Sequence, residues 1–354
     1  MQMQTAPTRP APAPAAALVS NTDGRTPAPW LPIERVDGTQ LSYDDFLARY
    51  MHASKPVVIT NVASDWPAMR QWTPEYFKQR FGSQPVAIGY DRNMPFDQFI
   101  DQVLASSPEN PGPYMYRSFL HEVLPELLPD VIPQNKFAFG RWFASPLMLE
   151  KWRRPDAYLK LLIGGVGSKF PVMHYDGENA HAAITEIYGD KEFVMYAPED
   201  GQYLYPKKFF PNHSMVDDPV MQDLARYPLL AKATQYRTTL KPGDMIFVPA
   251  KWWHAARALS TSISVCTNML DGSNWDEYVE EVAGDEAKKA PRKARLMRGY
   301  LRAVGRLLSA MERLQNRSPG LARALVLPAL LAPVSADVAP EPSRRQLKLR
   351  IPTH

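Results

Sequence analysis

The 354-residue chain has a single cysteine, Cys266. One thiol excludes an internal disulfide framework and any cysteine-rich zinc site, and it suits a reducing compartment. No apolar run is long enough to cross a bilayer; the longest, Leu321 to Val334, is interrupted by Pro328 and Pro333. The first twenty residues, Met1 to Ser20, lack the apolar centre of a signal peptide, so the sequence predicts a cytoplasmic protein. No internal repeat stands out. Net charge is only +4, with 22% charged and 45% hydrophobic residues, the composition of a chain that can bury a core.

Proline is abundant, and so, in one place, is positive charge. The 35 prolines crowd both ends. Residues 1–29, rich in Ala, Pro and Thr, predict a disordered arm, and 334–354 a flexible tail. Between them the sequence divides into a main domain over 30–280 and a basic helical extension over 281–333. Ten Lys or Arg in 288–317 stand against one acid, Glu312, so that segment is +9 and the other residues together are −5. By charge the body is not a nucleic-acid surface, and only the C-terminal helix could serve as one.

The β-branched run Pro56–Thr60 predicts a strand. Thr73-Pro74-Glu75 supplies an N-cap, an N1 proline and a first-turn acid ahead of Gly82, predicting a helix over Pro74–Phe81. A second helix follows over Phe96 to Leu104, with Phe96, Phe99, Ile100, Val103 and Leu104 on one face. From Ala157 to Leu270 the period shortens. Strands are expected over Tyr158–Ile163, Ala182–Ile187, Glu192–Tyr196, Gln235–Leu240, Asp244–Val248 and Ser262–Asn268, separated by turns such as Gly189-Asp190 and Pro242-Gly243-Asp244. Many short strands with regular turns predict a mainly β domain, an antiparallel barrel or jelly roll. After Asp276 the pattern is helical, with Leu296, Tyr300, Val304, Leu307, Leu308, Met311 and Leu314 forming an apolar stripe.

The chemistry concentrates in Phe170-Pro171-Val172-Met173-His174-Tyr175-Asp176. On a strand, His174 and Asp176 share a face and Tyr175 takes the other. An imidazole and a carboxylate projecting together into a barrel form two parts of a 2-His-1-carboxylate triad, which holds non-haem Fe(II) and leaves positions open. His254, which ends Trp252-Trp253-His254, is the candidate third ligand. A His-x-Asp also arises by chance, and a histidine beside two tryptophans packs equally well as core. Inward-facing ionisable groups need a partner, however, and a metal supplies one. His52, His121, His181, His213 and His354 have no such setting and read as structural or solvated.

Taken together, Leu161-Leu162-Ile163-Gly164, His174-Tyr175-Asp176, Gly189-Asp190-Lys191 and Pro242-to-Pro249 followed by Trp252-Trp253-His254 resemble the cupin-like JmjC oxygenases, and within them the asparaginyl hydroxylase branch. The resemblance covers roughly 50–275. It implies a double-stranded β-helix (jelly-roll/cupin) with N-terminal α/β elements and a C-terminal helical extension. It also implies Fe(II) held by His174, Asp176 and His254, and 2-oxoglutarate as cosubstrate. Lys191 matches the family lysine for the distal carboxylate, where a dianion in a barrel needs a compact cation. Asn268 and Asn179 match asparagines near the cosubstrate, and Tyr114, or alternatively Tyr116, matches a carboxylate-binding tyrosine. The chain departs from the pattern twice: Phe170 or a neighbour stands where a threonine is common, and the stretch from Asp176 to Lys191 is about two residues longer.

The activity implied is hydroxylation of a protein or peptide side chain or a small molecule, with a nucleic-acid base also open. Lysine demethylation is less expected, for want of a reader domain or zinc-binding cysteines. Two other readings remain. A metal cupin that works without 2-oxoglutarate would not need Lys191, and a non-catalytic JmjC-like binding protein would not need an intact triad. For the C-terminal helix, packing on the barrel or on a second copy as a homodimer comes first, then a nucleic acid or acidic partner, then a membrane surface.

Overall fold

The computed structural model describes residues 30–317 except 89–91, 133–134, 139–141, 143–144, 149–158 and 221–222. The arm over 1–29 and the tail over 334–354 lie outside the described residues. The N-terminal part holds β1 (Trp30–Pro32), β2 (Arg35–Asp37), β3 (Val57–Thr60), β4 (Pro85–Ile88), β5 (Arg92–Pro95) and β6 (Tyr114–Phe119). Short helices α1 (Tyr43–Phe46), α2 (Ala68–Gln71), α3 (Pro74–Phe81), α4 (Phe96–Leu104) and α5 (Leu120–Val123) lie among them. The strands of the second half are β7 (Lys160–Gly164), β8 (His181–Tyr188), β9 (Lys191–Tyr196), β10 (Gln235–Leu240), β11 (Met245–Val248), β12 (Trp253–Ala258) and β13 (Ser262–Met269). Helices α6 (Trp275–Ala287) and α7 (Pro291–Arg317) close the described chain.

Two sheets face each other. One runs β1-β10-β9-β12, the other β2-β3-β11-β8-β13-β7-β6, and β4-β5 form a separate ribbon. This is the mainly β, jelly-roll architecture expected from the sequence. The sheets are mixed rather than purely antiparallel, because β1 pairs with β10 and β2 with β3 in parallel. Those pairings lie at the N-terminal end of the chain, where β1 and β2 each add to an edge without a hairpin turn to fix their direction.

Strict alternation builds the space between the sheets. Ala182 and Ile184 of β8, Phe193 and Met195 of β9, and Ile246 and Val248 of β11 share one buried cluster. Their neighbours Ala183, Met245 and Phe247 pack on the outside with the early helices, whereas Val194 and Tyr196 pack outside the smaller sheet. Helix α3 begins as predicted, with the Thr73 hydroxyl accepting from the Tyr76 N–H at 3.1 Å. In α4 the face Phe96, Phe99, Ile100 and Val103 is buried, but Leu104, at the helix end, is exposed.

The turn from β8 to β9 crosses from one sheet to the other and requires Gly189. Its φ is +78°, and a Cβ there would lie 1.8 Å from the carbonyl oxygen of Thr261. Gly189→Ala is therefore expected to destabilise the fold by about 1–3 kcal/mol or more, since a left-handed non-glycine residue alone costs that much. Urea unfolding checks this; an unchanged midpoint would mean that the turn relaxes freely.

The C-terminal pair reorganises the predicted stripe. Val304, Leu308 and Met311 are buried together with Leu301, whereas Leu296, Tyr300 and Leu307 stay exposed. The stripe is wider than the cluster that α7 shares with α6, Trp142, Met148, Ala180 and Leu270, so its two halves separate. Gly305 lets the helices close up, because a Cβ there would meet the Trp275 ring at 2.2 Å. Part of the basic charge meets acids of α6: Lys293 pairs with Glu286 at 2.6 Å, and Arg298 and Arg302 pair with Glu280 at 3.3 and 2.8 Å.

Candidate metal centre

His174 and Asp176 lie on an extended segment pinned by isolated bridges, not on a ladder strand as the sequence suggested. Pro171 can donate no hydrogen bond, and Glu178 and Asn179 turn the chain with φ of +56° and +49°. The pin is specific: His174 N–H donates to His254 O at 3.0 Å, and His254 N–H donates to His174 O at 2.7 Å. Residues so paired project side by side on one face, and the two imidazole centroids are 4.4 Å apart.

One ligand atom each from His174, Asp176 and His254 lies within 4.8 Å of the others, the one such group among the described residues. Each histidine is held in a single tautomer. The Nδ1 of His174 lies 3.1 Å from Val172 O, and that of His254 lies 3.0 Å from Trp252 O. A carbonyl only accepts, so both Nδ1 atoms carry the proton and both Nε2 lone pairs are free for a cation. Burial, then the neighbouring His254, pulls the His174 pKa down to about 3, which keeps the ring neutral at physiological pH. Burial alone would raise the Asp176 pKa; His254, His174, Lys160 and the Asn268 amide outweigh it and hold the carboxyl below its usual range. An Nε2 from each imidazole and a carboxylate fit a divalent transition metal with open positions. The donor set passes that test.

The other predicted residues divide. Asn268 reaches the centre: its Nδ2 donates to Asp176 Oδ2 at 3.4 Å, and its Oδ1 accepts from Lys160 Nζ at 3.1 Å. Asn179 is turned to the α6 loop, where Nδ2 donates to Asn274 O at 3.1 Å. Lys191 is 1% exposed and points between the sheets, hydrogen-bonded to Ser264 Oγ and 5.7 Å from the ring centroid of Tyr114. Tyr114 is thus the tyrosine that stands at the lysine. Tyr116 packs edge-on against Phe170 at 4.7 Å, and Phe170 stacks on the His174 imidazole at 4.2 Å. Where the resemblance led us to expect a threonine, an aromatic ring buttresses a candidate ligand.

Of three further residues, the sequence reading left His213 and His181 as structural or solvated and did not single out Glu186. His213 bridges His174 from the other flank, with ring centroids 6.2 Å apart. His181 is buried and braces the loop before His254: its Nδ1 accepts from the Ala250 N–H at 2.9 Å. Glu186, fully buried on β8, lies with Oε2 3.4 Å from Lys191 Nζ and accepts from Ser262 Oγ at 2.6 Å. Burial pushes its pKa up to about 7, against the pull of Lys191 and the two serines. An acid on the inward parity of an otherwise apolar strand was the available signal for it.

A family model for the cupin-like domain matches residues 43–270, most of the chain. The chain belongs to the cupin-like domain family. Relatives include the Jumonji C domain-containing protein 5 of Drosophila melanogaster, 27% identical over 241 residues that cover 63% of this chain and 57% of the relative. The bifunctional peptidase and (3S)-lysyl hydroxylase JMJD7 of Homo sapiens is 26% identical over 266 residues, 62% of this chain and 78% of that protein. The tRNA wybutosine-synthesizing protein 5 of Homo sapiens is 25% identical over 274 residues, with 68% and 78% covered. This cupin-like domain spans about half the length of several of its curated relatives. Among the described residues no helix is long and apolar enough to cross a membrane.

Proposed function

We propose that this cupin-like domain is an Fe(II)- and 2-oxoglutarate-dependent oxygenase that hydroxylates a protein or peptide side chain. The observation that carries the reading is the gathering of His174 Nε2, His254 Nε2 and Asp176 with both imidazoles locked for ligation. When bound, the iron supplies the oxygen chemistry: substrate C–H, O₂ and 2-oxoglutarate give the hydroxylated product, succinate and CO₂. The chain's own part is positional. His174, Asp176 and His254 would hold the metal, Asn268 orients the Asp176 carboxylate, and Lys191 with Tyr114 and Ser264 offers a cation and hydroxyls to the far end of the cosubstrate.

A peptide substrate is supported by the surface next to the centre. Phe209, Phe210 and Met215 are exposed on the segment that carries His213, giving a side chain apolar purchase beside the candidate metal. A lysyl hydroxylase among the relatives agrees with that class. A homodimer through the C-terminal helices is part of the same reading, supported by exposed Leu296, Tyr300 and Leu307 on α7. Against a nucleic-acid role for α7, three of its basic residues, Lys293, Arg298 and Arg302, already meet acids of α6.

Incubation with Fe(II), ascorbate, O₂ and 2-oxoglutarate should release succinate in the absence of any substrate, at a slow uncoupled rate. Mass spectrometry detects it, and His174→Ala should remove it. Tight iron binding without succinate would instead favour a metal cupin that works without 2-oxoglutarate, a reading to which the Glu186–Lys191 pair gives some support.

A further inference from the structure

The buried cation between the sheets is already engaged. Lys191 enters from the start of β9, and Glu186 meets it from β8 with both side chains fully enclosed. The charged and titratable groups around the carboxylate are Lys191 itself and Tyr114 on β6, with Cys266 on β13 next to Tyr114 and Lys191. Ser262 and Ser264 add hydroxyls from β13, and the Glu186 N–H donates to Asp244 O at the mouth of β11. Asp244's own carboxylate is bound by Arg35 at 2.6 Å and faces away from this role. Glu186 Oε1 is served by Ser262, whereas Oε2 has the lysine at 3.4 Å but no well-formed hydrogen bond among the described residues.

We propose that Glu186 governs entry to the cosubstrate pocket: it occupies Lys191 while the pocket is empty, and a dicarboxylate 2-oxo acid binds only together with one proton, which neutralises Glu186. The inference rests on the reading of Lys191 as the cosubstrate anchor. Its physics is charge balance between fully buried groups. One ammonium matches one carboxylate; a second ionised carboxylate beside it leaves an uncompensated buried negative charge. Protonation at Oε2, the poorly served oxygen, removes that charge and creates an O–H donor for the incoming carboxylate. The binding step balances as dianion plus one proton onto the ion-paired pocket, giving a neutral Glu186 beside Lys191 and the bound dianion. A carboxylate that changes state near pH 7 makes the exchange accessible under physiological conditions.

The test is calorimetric titration of 2-oxoglutarate into the full-length Mn(II)-loaded protein, in buffers of different ionisation enthalpy, from pH 6.5 to 8.5. Wild type should take up close to one proton at pH 8.5 and about a quarter of one at pH 6.5, and its Kd should weaken roughly 20- to 30-fold across that range. Glu186→Gln should bind with a Kd flat to within about twofold, and more tightly than wild type at pH 8.5. Proton uptake is read on wild type, so a poorly folded variant does not spare the proposal. Binding to wild type with no proton uptake and a flat Kd overturns it while leaving the cosubstrate reading intact. An equal pH slope in Glu186→Gln overturns it too. Failure of both proteins to bind 2-oxoglutarate at any pH, with Mn(II) bound, overturns the proposal and the cosubstrate reading together.

Discussion

Replacing His174 by alanine is expected to weaken divalent-metal binding by more than about a hundredfold. Losing a mere outer-shell partner commonly costs 10–100-fold, and His174 is one of three donors. The structure supplies the reason. The ring is neutral, its Nδ1 is tied to Val172 O, and its Nε2 has no competing proton. His254→Ala should behave alike, because its Nδ1 is held by Trp252 O in the same way. Thermal unfolding with and without Mn(II) checks this. At a hundred times Kd, wild type gains about 2.7 kcal/mol, and each variant should gain almost none at the same concentration. Equal metal-induced shifts in all three proteins would remove these histidines from the site.

The second large effect is on stability. Lys191→Met should destabilise the fold by about 3–5 kcal/mol at pH 8, the usual result of stripping one partner from a buried ion pair. Glu186 would then be enclosed with only serine hydroxyls and Tyr114 near it. The sign of the pH dependence follows. Its carboxyl in the folded protein sits above its ordinary value of 4.5 even with the lysine present. Without the lysine it moves further up, so the folded state holds a proton that the unfolded state releases. Stability is retained below the unfolded value and lost as pH rises through the folded one, so the deficit of the variant grows from pH 6 to pH 8. The double variant Lys191→Met with Glu186→Leu should recover most of the loss, since apolar replacement of a buried pair is often neutral. Urea midpoints at two pH values decide it: a small, pH-independent loss would show that the pair is solvated.

The candidate triad was legible because its signal is local. Parity puts the two side chains of a His-x-Asp on one face of extended chain, and His254, far along, was picked out by the Pro-Gly-Asp run ahead of it and by the resemblance. Of the strands from β8 to β13, all but β12 were legible for the same reason, as short runs between turn residues; β12 (Trp253–Ala258) was not expected from the sequence. Glu186 was hidden because its meaning depends on Lys191 across a change of sheet, which strand period does not reveal. His213 and His181 were hidden likewise, one brought in by an isolated bridge and the other by a loop amide. The parallel edge strands escaped because pairing direction is set by the path of the chain, not by composition. On α7 the apolar stripe was visible, but which half of it packs depends on where Trp142 and Trp275 lie.

The most direct test of the central claim is an anaerobic titration of the apoprotein with Fe(II) and then 2-oxoglutarate at pH 6.5, followed in the visible region. The account predicts a metal-to-ligand charge-transfer band that appears only when both are present. It should be absent from His174→Ala, and Lys191→Ala should need much more 2-oxoglutarate to reach it. Tight Fe(II) binding with no band at saturating 2-oxoglutarate would contradict the account.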